Sequence, residues 1–204
     1  GNVSEGIVLE DDCIPSRTFF TYASIMLDKY RDVSNIASIA ARNEVLDFVT
    51  NEPIFCTKFF CWGWASWADR IRDIDVETGY RSGSLKPLLT GVGYYEAQHL
   101  RGMHSLMLCN QVNSWAYSYD FAFREQSKVH LIPPVNYVSN IGVGSGTHQY
   151  TGQQLTDISS IDSDVVLSPP DVKPTSNSAY LFAYLRQKYS YIKILLFPWI
   201  GHIK

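Results

Sequence analysis

The sequence predicts an α/β protein in which a mixed sheet is flanked by helices, and three observations lead to this fold class. Short apolar runs with β-branched residues, typical of strands, occur at Ile7 to Leu9, Asn35 to Ala41 and Val129 to Ile132. Between them lie longer segments in which apolar residues recur every three or four positions, as in amphipathic helices. The 204 residues are 46% hydrophobic and 18% charged, which is enough for one domain with a substantial core.

Each element follows from a local pattern. A buried strand over 6–10, of the kind found in parallel sheets, leads through a turn at Pro15 to a helix from Arg17 to Arg31, with Ser16 as its N-cap. The predicted apolar face of this helix comprises Phe19, Phe20, Ala23, Met26, Leu27 and Tyr30. Gly63 divides an aromatic stretch over 57–67, which predicts a strand, a glycine turn and the start of a helix that runs to about Asp73. The remaining predicted elements are a strand over 35–41, a loop with a brief strand over 44–53, helices over 95–110, 114–126 and 177–189, a strand over 129–132, and glycine-containing loops over 76–95 and 137–146.

Charge and cysteine usage exclude some classes of function. The net charge is −3 and no run of basic residues occurs, so a broad basic surface for nucleic acid is excluded. The four cysteines match no metal or redox spacing, and we expect reduced thiols in a cytoplasmic protein. The apolar segment 191–200 is too short to span a bilayer; it either lies on a membrane surface at the inner face, or docks on the protein or on a second copy.

The strongest candidate site is the run Glu10-Asp11-Asp12, which directly follows the first apolar strand. Three adjacent carboxylates repel one another, and a divalent cation such as Mn²⁺ or Mg²⁺ neutralises them with the oxygen ligands that it prefers. Ligands also bind at strand tips in open α/β sheets. The alternative is a solvated acidic turn that caps the next helix.

Four blocks in order make the chain similar to a known family. They are Gly6 to Tyr22 around the acidic run, Phe59 to Trp67 (FFCWGWASW), Ser114 to Tyr117, and Ile132 to Gly142. Over residues 6 to about 150 the chain resembles glycosyltransferases with the GT-A fold, closest to bacterial family-2-like, hemolytic-protein-like nucleotide-sugar transferases and more distantly the N-acetylglucosaminyltransferase I type. The resemblance implies a partial GT-A catalytic domain over 1–155, formed by the C-terminal portion of that fold. A tether rich in Ser, Asp and Pro and a helical tail follow over 156–204.

The resemblance also implies an activity and a set of site residues. The reaction would move a sugar from a nucleotide diphosphate donor to the hydroxyl of a carbohydrate acceptor, as in the building of a surface polysaccharide. Asp12 would bind the Mn²⁺ or Mg²⁺ ion, with Glu10 and Asp11 on the ribose side and in the metal shell. His148 would add a metal or phosphate contact, or is an exposed loop histidine. The pocket for the sugar or the acceptor would be lined by Trp62, Trp64, Trp67 and Trp115, for which core packing is the alternative.

Two departures from the family pattern lead to further expectations. In the family, about a hundred residues that hold the nucleotide normally precede the acidic strand. Because this sequence has only a few residues before that strand, we expect a homo-oligomer that has little turnover by itself. Ala116 stands where related sequences often have the Asp that serves as base; Asp120, one helical turn on, is the candidate base, with a cap or a salt bridge as its alternative. Two other functions compete: a non-catalytic carbohydrate-binding or assembly remnant, and a nucleotidyltransferase or phosphohydrolase, which would need further carboxylates at other strand tips.

Overall fold

The computed structural model describes residues 3–45, 48, 51–77, 85–141 and 174–188, and it has an α/β architecture. Two sheets and their flanking helices are built from seven strands and six helices within these residues. The strands are β1 (Glu5–Val8), β2 (Cys13–Pro15), β3 (Ile36–Ala40), β4 (Ile54–Cys56), β5 (Trp64–Trp67), β6 (Val129–Ile132) and β7 (Val138–Asn140). The helices are α1 (Arg17–Tyr30), α2 (Ala68–Ile71), α3 (Leu85–Leu89), α4 (Tyr94–Leu108), α5 (Trp115–Glu125) and α6 (Ser178–Lys188).

The main sheet has five strands in the order β1-β5-β3-β6-β4, and it is mixed as predicted. Strands β3 and β6 run parallel, whereas the other three pairs are antiparallel. A second sheet consists of β2 and β7, which pair antiparallel with Ile14 opposite Ser139. This small sheet joins the segment after the acidic run to the segment after β6.

The prediction for the first strand was wrong in its environment. Strand β1 is an edge strand of the described sheet and pairs antiparallel with β5, so it is not a buried strand of a parallel sheet. Its residues alternate between half-buried and exposed, and Val8 is 38% exposed. The apolar run is short enough to fit either environment, and its pairing depends on β5, far away in the chain.

Helix α1 confirms the prediction from periodicity. The Ser16 side chain accepts a hydrogen bond from the backbone N–H of Phe19 and caps the helix. Its apolar face is buried against Ile39, Ala65 and Leu131 of the main sheet. Phe20, which we predicted on that face, is 45% exposed and is the exception.

The opposite face of the sheet is covered by α5. Successive residues of a strand alternate between the two faces of the sheet. Trp64 lies on the α5 side, where it packs with Phe59 and Phe123. A further core joins α3, α4 and α5 through Leu88, Leu100 and Phe121. The helices predicted over 95–110 and 114–126 and the strands predicted over 35–41 and 129–132 are therefore confirmed, within a residue or two at their ends.

The aromatic stretch around Gly63 differs from its prediction in detail. Strand β4 ends before it, residues 57–63 form no regular element, and β5 follows the glycine instead of preceding it. Gly63 itself has a φ of +78°, so the predicted glycine turn is confirmed. The predicted helix begins only at Ala68 and is one turn long.

Helix α6 packs onto the body of the protein. Its side chains Tyr180 and Leu181 share a core with Cys56 and Ile132. Residues 156–173 of the tether predicted over 156–178 lie outside the described residues, as do the apolar tail beyond 190 and the proposed domain boundary at 155. Among the helices that the structure describes, none combines the length and the apolar character needed to cross a bilayer.

Candidate functional site

The acidic turn between β1 and β2 brings three potential metal ligands together. One ligand atom each from Glu10, Asp12 and Cys13 lies within 4.8 Å of the other two. The turn is fixed by its backbone, because the N–H of Cys13 donates to the carbonyl of Glu10 at 3.0 Å and the N–H of Ile141 donates to the carbonyl of Asp12 at 2.9 Å. The side chain of Asp11 is exposed and lies outside this group.

Electrostatics distinguish the members of this cluster. Burial raises the pKa of Glu10 above its usual value, and the neighbouring Asp12 and Asp11 raise it further, whereas a hydrogen bond from Cys61 lowers it. Burial raises the pKa of the Cys13 thiol to about 12, so this side chain is a neutral thiol at pH 7. The charge in the cluster therefore comes from carboxylates.

These donors fit a hard divalent cation. No lysine, arginine or histidine among the described residues forms an ion pair with Glu10 or Asp12. Mg²⁺ and Mn²⁺ prefer carboxylate oxygens, and Mg²⁺ is commonly held by one or two carboxylates together with water and substrate phosphates. Glu10 and Asp12 supply two such carboxylates, so water and substrate phosphates would complete the coordination shell.

A cavity of about 270 Å³ adjoins the acidic turn. Cys61 links the two, because it lines the cavity and its thiol lies close enough to Glu10 to lower the pKa of that carboxyl. The aromatic residues of the lining are Phe59, Phe60, Trp62, Tyr117 and Tyr184. The polar and charged residues of the lining are Glu44, Lys58, Ser114 and Lys188.

The four tryptophans that we predicted for a sugar pocket separate into two groups. Trp62 is half-buried, lines the cavity, and has the guanidinium of Arg42 5.7 Å from its ring centre. Trp64 and Trp67 are 2% and 1% exposed and fill the core on opposite sides of the sheet. Trp115 packs against other aromatic rings and is not part of the cavity lining. Of the four tryptophans, Trp62 is therefore the one that lines this cavity, while Trp64 and Trp67 fit the alternative of core packing.

Asp120, the candidate base, is completely buried in ion pairs. Its Oδ1 accepts the backbone N–H of Phe59 at 2.8 Å, and its Oδ2 lies 3.1 Å from Lys58 Nζ and 3.4 Å from Arg124 Nε. Burial by itself would raise the pKa of Asp120, but the two cations and the hydrogen bonds lower it to about 2. The structure therefore favours the salt-bridge alternative, because a base needs a higher pKa and access to the acceptor hydroxyl.

The ion pairs of Asp120 belong to a larger buried network. Arg124 also donates to Glu96 of helix α4, and the Lys58 ammonium lies 4.6 Å from the centre of the Tyr117 ring. Asp120 and Arg124 are four residues apart on α5, which is the spacing at which opposite charges pair on a helix. This spacing was the sequence signal for the structural role.

Glu44 is a site residue that the sequence reasoning missed. Its carboxylate lines the cavity and accepts a hydrogen bond from Arg42 Nε at 3.1 Å. Arg42 in turn donates to the carbonyl of Val138, so it ties the end of β3 to β7. The sequence signal was only that Arg42 and Glu44 follow a predicted buried strand.

His148, predicted as a further metal or phosphate contact, lies outside the described residues.

No model of a known protein family matches the chain, and a search of curated proteins likewise finds no match.

Proposed function

We propose that this chain carries the metal site and the acceptor site of a glycosyltransferase of the GT-A type, which moves a sugar from a nucleotide diphosphate donor to an acceptor hydroxyl. The observation that carries the proposal is the connection through Cys61. Cys61 lies beside Glu10, one of a carboxylate pair suited to a divalent cation, and it also lines a cavity whose wall includes Trp62. The mixed α/β sheet agrees with such a fold.

Asp12 and Glu10 would hold Mn²⁺ or Mg²⁺, which when bound neutralises the charge of the leaving diphosphate. Cys13 stays a neutral thiol and helps to keep the turn packed, because it belongs to the main core. The Trp62 face offers an apolar platform for a sugar ring in the neighbouring cavity.

Glu44 replaces Asp120 as the proposed base. It is the one carboxylate that lines the described cavity, and its side chain is 14% exposed, so a ligand in the cavity can reach it. An oxygen of Glu44 accepts the proton of the acceptor hydroxyl while the hydroxyl oxygen forms the new bond to the anomeric carbon. The bond between that carbon and the diphosphate oxygen breaks, and its electron pair stays on the diphosphate.

Titration with Mn²⁺ tests the metal site. We expect Asp12→Asn to weaken Mn²⁺ binding about tenfold or more, because a charged ligand is lost. Asp11→Asn is the matched control: it removes the same charge from the same turn but lies outside the ligand cluster, and we expect only a small effect. Calorimetry that gives the native chain and Asp12→Asn equal affinities contradicts the metal role.

Sugar transfer tests the activity. With Mn²⁺ and a panel of nucleotide sugars, we expect Glu44→Gln to lower the rate of transfer, or of donor hydrolysis, about 10²- to 10⁴-fold while binding of the donor is retained. Unchanged turnover in Glu44→Gln removes the residue from this role.

A non-catalytic carbohydrate-binding protein is the second candidate. This function is favoured because Asp120, the residue that would be the base by the family pattern, is held in ion pairs. The cavity is then present without that base. Saturable sugar binding without donor turnover, in a chain that binds Mn²⁺ no better than Asp12→Asn, would establish this function instead.

A further inference from the structure

The cavity beside the acidic turn has a basic wall that the metal site does not use. Lys58 and Lys188 both line it. Burial is the main cause that lowers the pKa of Lys58; Asp120 opposes it, and the charges of Arg124 and then Lys188 lower the pKa further, so the two lysine ammonium groups repel each other. A ligand that brings negative charge between them would relieve this repulsion.

The ammonium group of Lys58 loses most of its contact with water at the cavity wall. Its side chain is only 9% exposed, and burying an ammonium is unfavourable unless partners compensate. Asp120 is one partner, but Asp120 is shared with Arg124 and so is not available to Lys58 alone. An ammonium has three N–H groups, and Asp120 with the Tyr117 ring accounts for two of them. The described residues supply no third partner, so one donor is left for a group in the cavity.

The remaining lining suits a sugar ring. The cavity volume of about 270 Å³ lies just below the range of about 300–1,000 Å³ that small-molecule sites commonly have, so the space fits a single ring. Trp62 and Tyr184 offer apolar ring faces, and Glu44 and Ser114 offer hydrogen-bonding atoms. Glu44 does not cancel the lysines, because Arg42 already pairs with it.

From these features we infer that the cavity binds an acidic monosaccharide unit, a hexose ring whose carboxylate or phosphate lies between Lys58 and Lys188. The inference deepens the proposed function, since it makes the acceptor an acidic sugar, but the binding itself needs neither the metal nor turnover. The ring stacks on the aromatic wall, and the anionic group receives charge-assisted hydrogen bonds from the ammonium groups.

The test measures binding of three probes to the full chain without metal: glucuronate, glucose 6-phosphate and glucose. We expect at least one anionic probe to bind saturably and about five- to tenfold tighter than glucose, because a charge-assisted contact adds to the shared ring contacts. A preference for glucuronate assigns a uronic acid, and a preference for the phosphate assigns a phosphorylated sugar. Equal binding of all three probes, or no saturable binding of either anionic probe, overturns the inference.

Charge-removing variants locate the binding. Lys188→Gln should lose most of the preference for the anionic probe and keep the affinity for glucose. Lys29→Gln, an exposed position on α1 outside the cavity lining, is the matched control and should keep both. A preference that survives in Lys188→Gln as in Lys29→Gln places the anion elsewhere and contradicts the assignment.

Nuclear magnetic resonance of the native chain gives a readout that needs no variant. The signals of the Lys58 side chain should shift on addition of glucuronate or glucose 6-phosphate and stay in place with glucose; unshifted signals count against the inference. The metal arm remains separate. If Asp12→Asn leaves Mn²⁺ binding unchanged while the acidic sugar still binds, the transferase proposal fails and the cavity assignment stands.

Discussion

Gly63 offers a sharp test of the packing that holds the site, because its backbone and its surroundings both exclude a side chain. Its φ is +78°, and a Cβ at this position would meet Val138 Cγ2 at 2.9 Å, Ala41 Cβ at 3.1 Å and Leu9 Cδ2 at 3.3 Å. Val138 and Leu9 can move their methyl groups a little, but the Cβ of Ala41 is fixed to the backbone of the chain. Gly63→Ala must therefore shift main chain.

Gly91 supplies the matched control. Its φ is +73°, almost the same, but no atom of the described residues lies within 4 Å of an added Cβ. Gly91→Ala should lower the free energy of unfolding by about 1–2 kcal/mol, the cost of placing alanine in the left-handed region. Gly63→Ala has this cost and the overpacking of a filled site, about 1–3 kcal/mol more, so we expect a loss of about 2–5 kcal/mol.

Urea unfolding, followed by tryptophan fluorescence and by circular dichroism, measures both variants. Gly63 also carries the backbone contacts of the site, since its N–H donates to the carbonyl of Cys61 and its carbonyl accepts from Ala41. Displacement of this turn should weaken Mn²⁺ binding in Gly63→Ala and leave it unchanged in Gly91→Ala. The reasoning fails if Gly63→Ala is no less stable than Gly91→Ala.

Three further predictions concern charge. Asp120→Asn should destabilise the fold by about 3–5 kcal/mol at pH 7, because two buried cations lose the partner that they share. Adding Lys58→Met should recover part of this loss, since it removes one of the uncompensated cations. If Asp120→Asn is as stable as the native chain in urea, the ion-pair network does not have this role. Burial by itself raises the pKa of Asp120, but its cations outweigh this effect and lower the pKa from 3.8 to about 2. The contribution of Asp120 to stability is therefore present above its unfolded pKa and is lost as the pH falls through about 2. In this acid range the free energy of unfolding of Asp120→Asn should depend less steeply on pH than that of the native chain. Burial raises the pKa of Glu10 above its usual 4.5, and Mn²⁺ binding requires its carboxylate, so the affinity for Mn²⁺ should already have fallen when the pH reaches 4.5. An affinity that stays unchanged from pH 7 down to pH 4.5 in calorimetry would exclude Glu10 as a ligand.

Local signals account for what the sequence predicted correctly. Helix α1 has an N-cap, Ser16, and an apolar stripe at three- and four-residue steps, and both are properties of neighbouring residues. The same holds for Gly63, where the need for a turn with positive φ is visible in the residue type itself. These signals need no knowledge of the rest of the chain.

Pairing across long separations accounts for what was missed. The environment of Val8 depends on β5, whose residues pair with it from nearly sixty positions away, and a three- or four-residue apolar run does not encode that choice. The burial of Asp120 depends in the same way on Lys58 and on the backbone of Phe59. Only its pairing with Arg124 on the same helix was readable in advance.

The number of cationic partners separates the carboxylates of this region by role. Among the described residues, Asp120 has two cationic partners, Lys58 and Arg124, and Glu96 pairs with Arg124 as well, so both carboxylates belong to a buried network that holds the fold together. Glu44 has one partner and faces the cavity, which orients it while a ligand can still reach it. Glu10 and Asp12 have no cationic partner among the described residues, and they lie together where the chain turns between two strands. Because unpaired carboxylates at this distance repel each other, a bound cation would stabilise the turn as well as serve the reaction. Mn²⁺ should therefore raise the unfolding temperature of the native chain, and at the same concentration it should raise that of Asp12→Asn less.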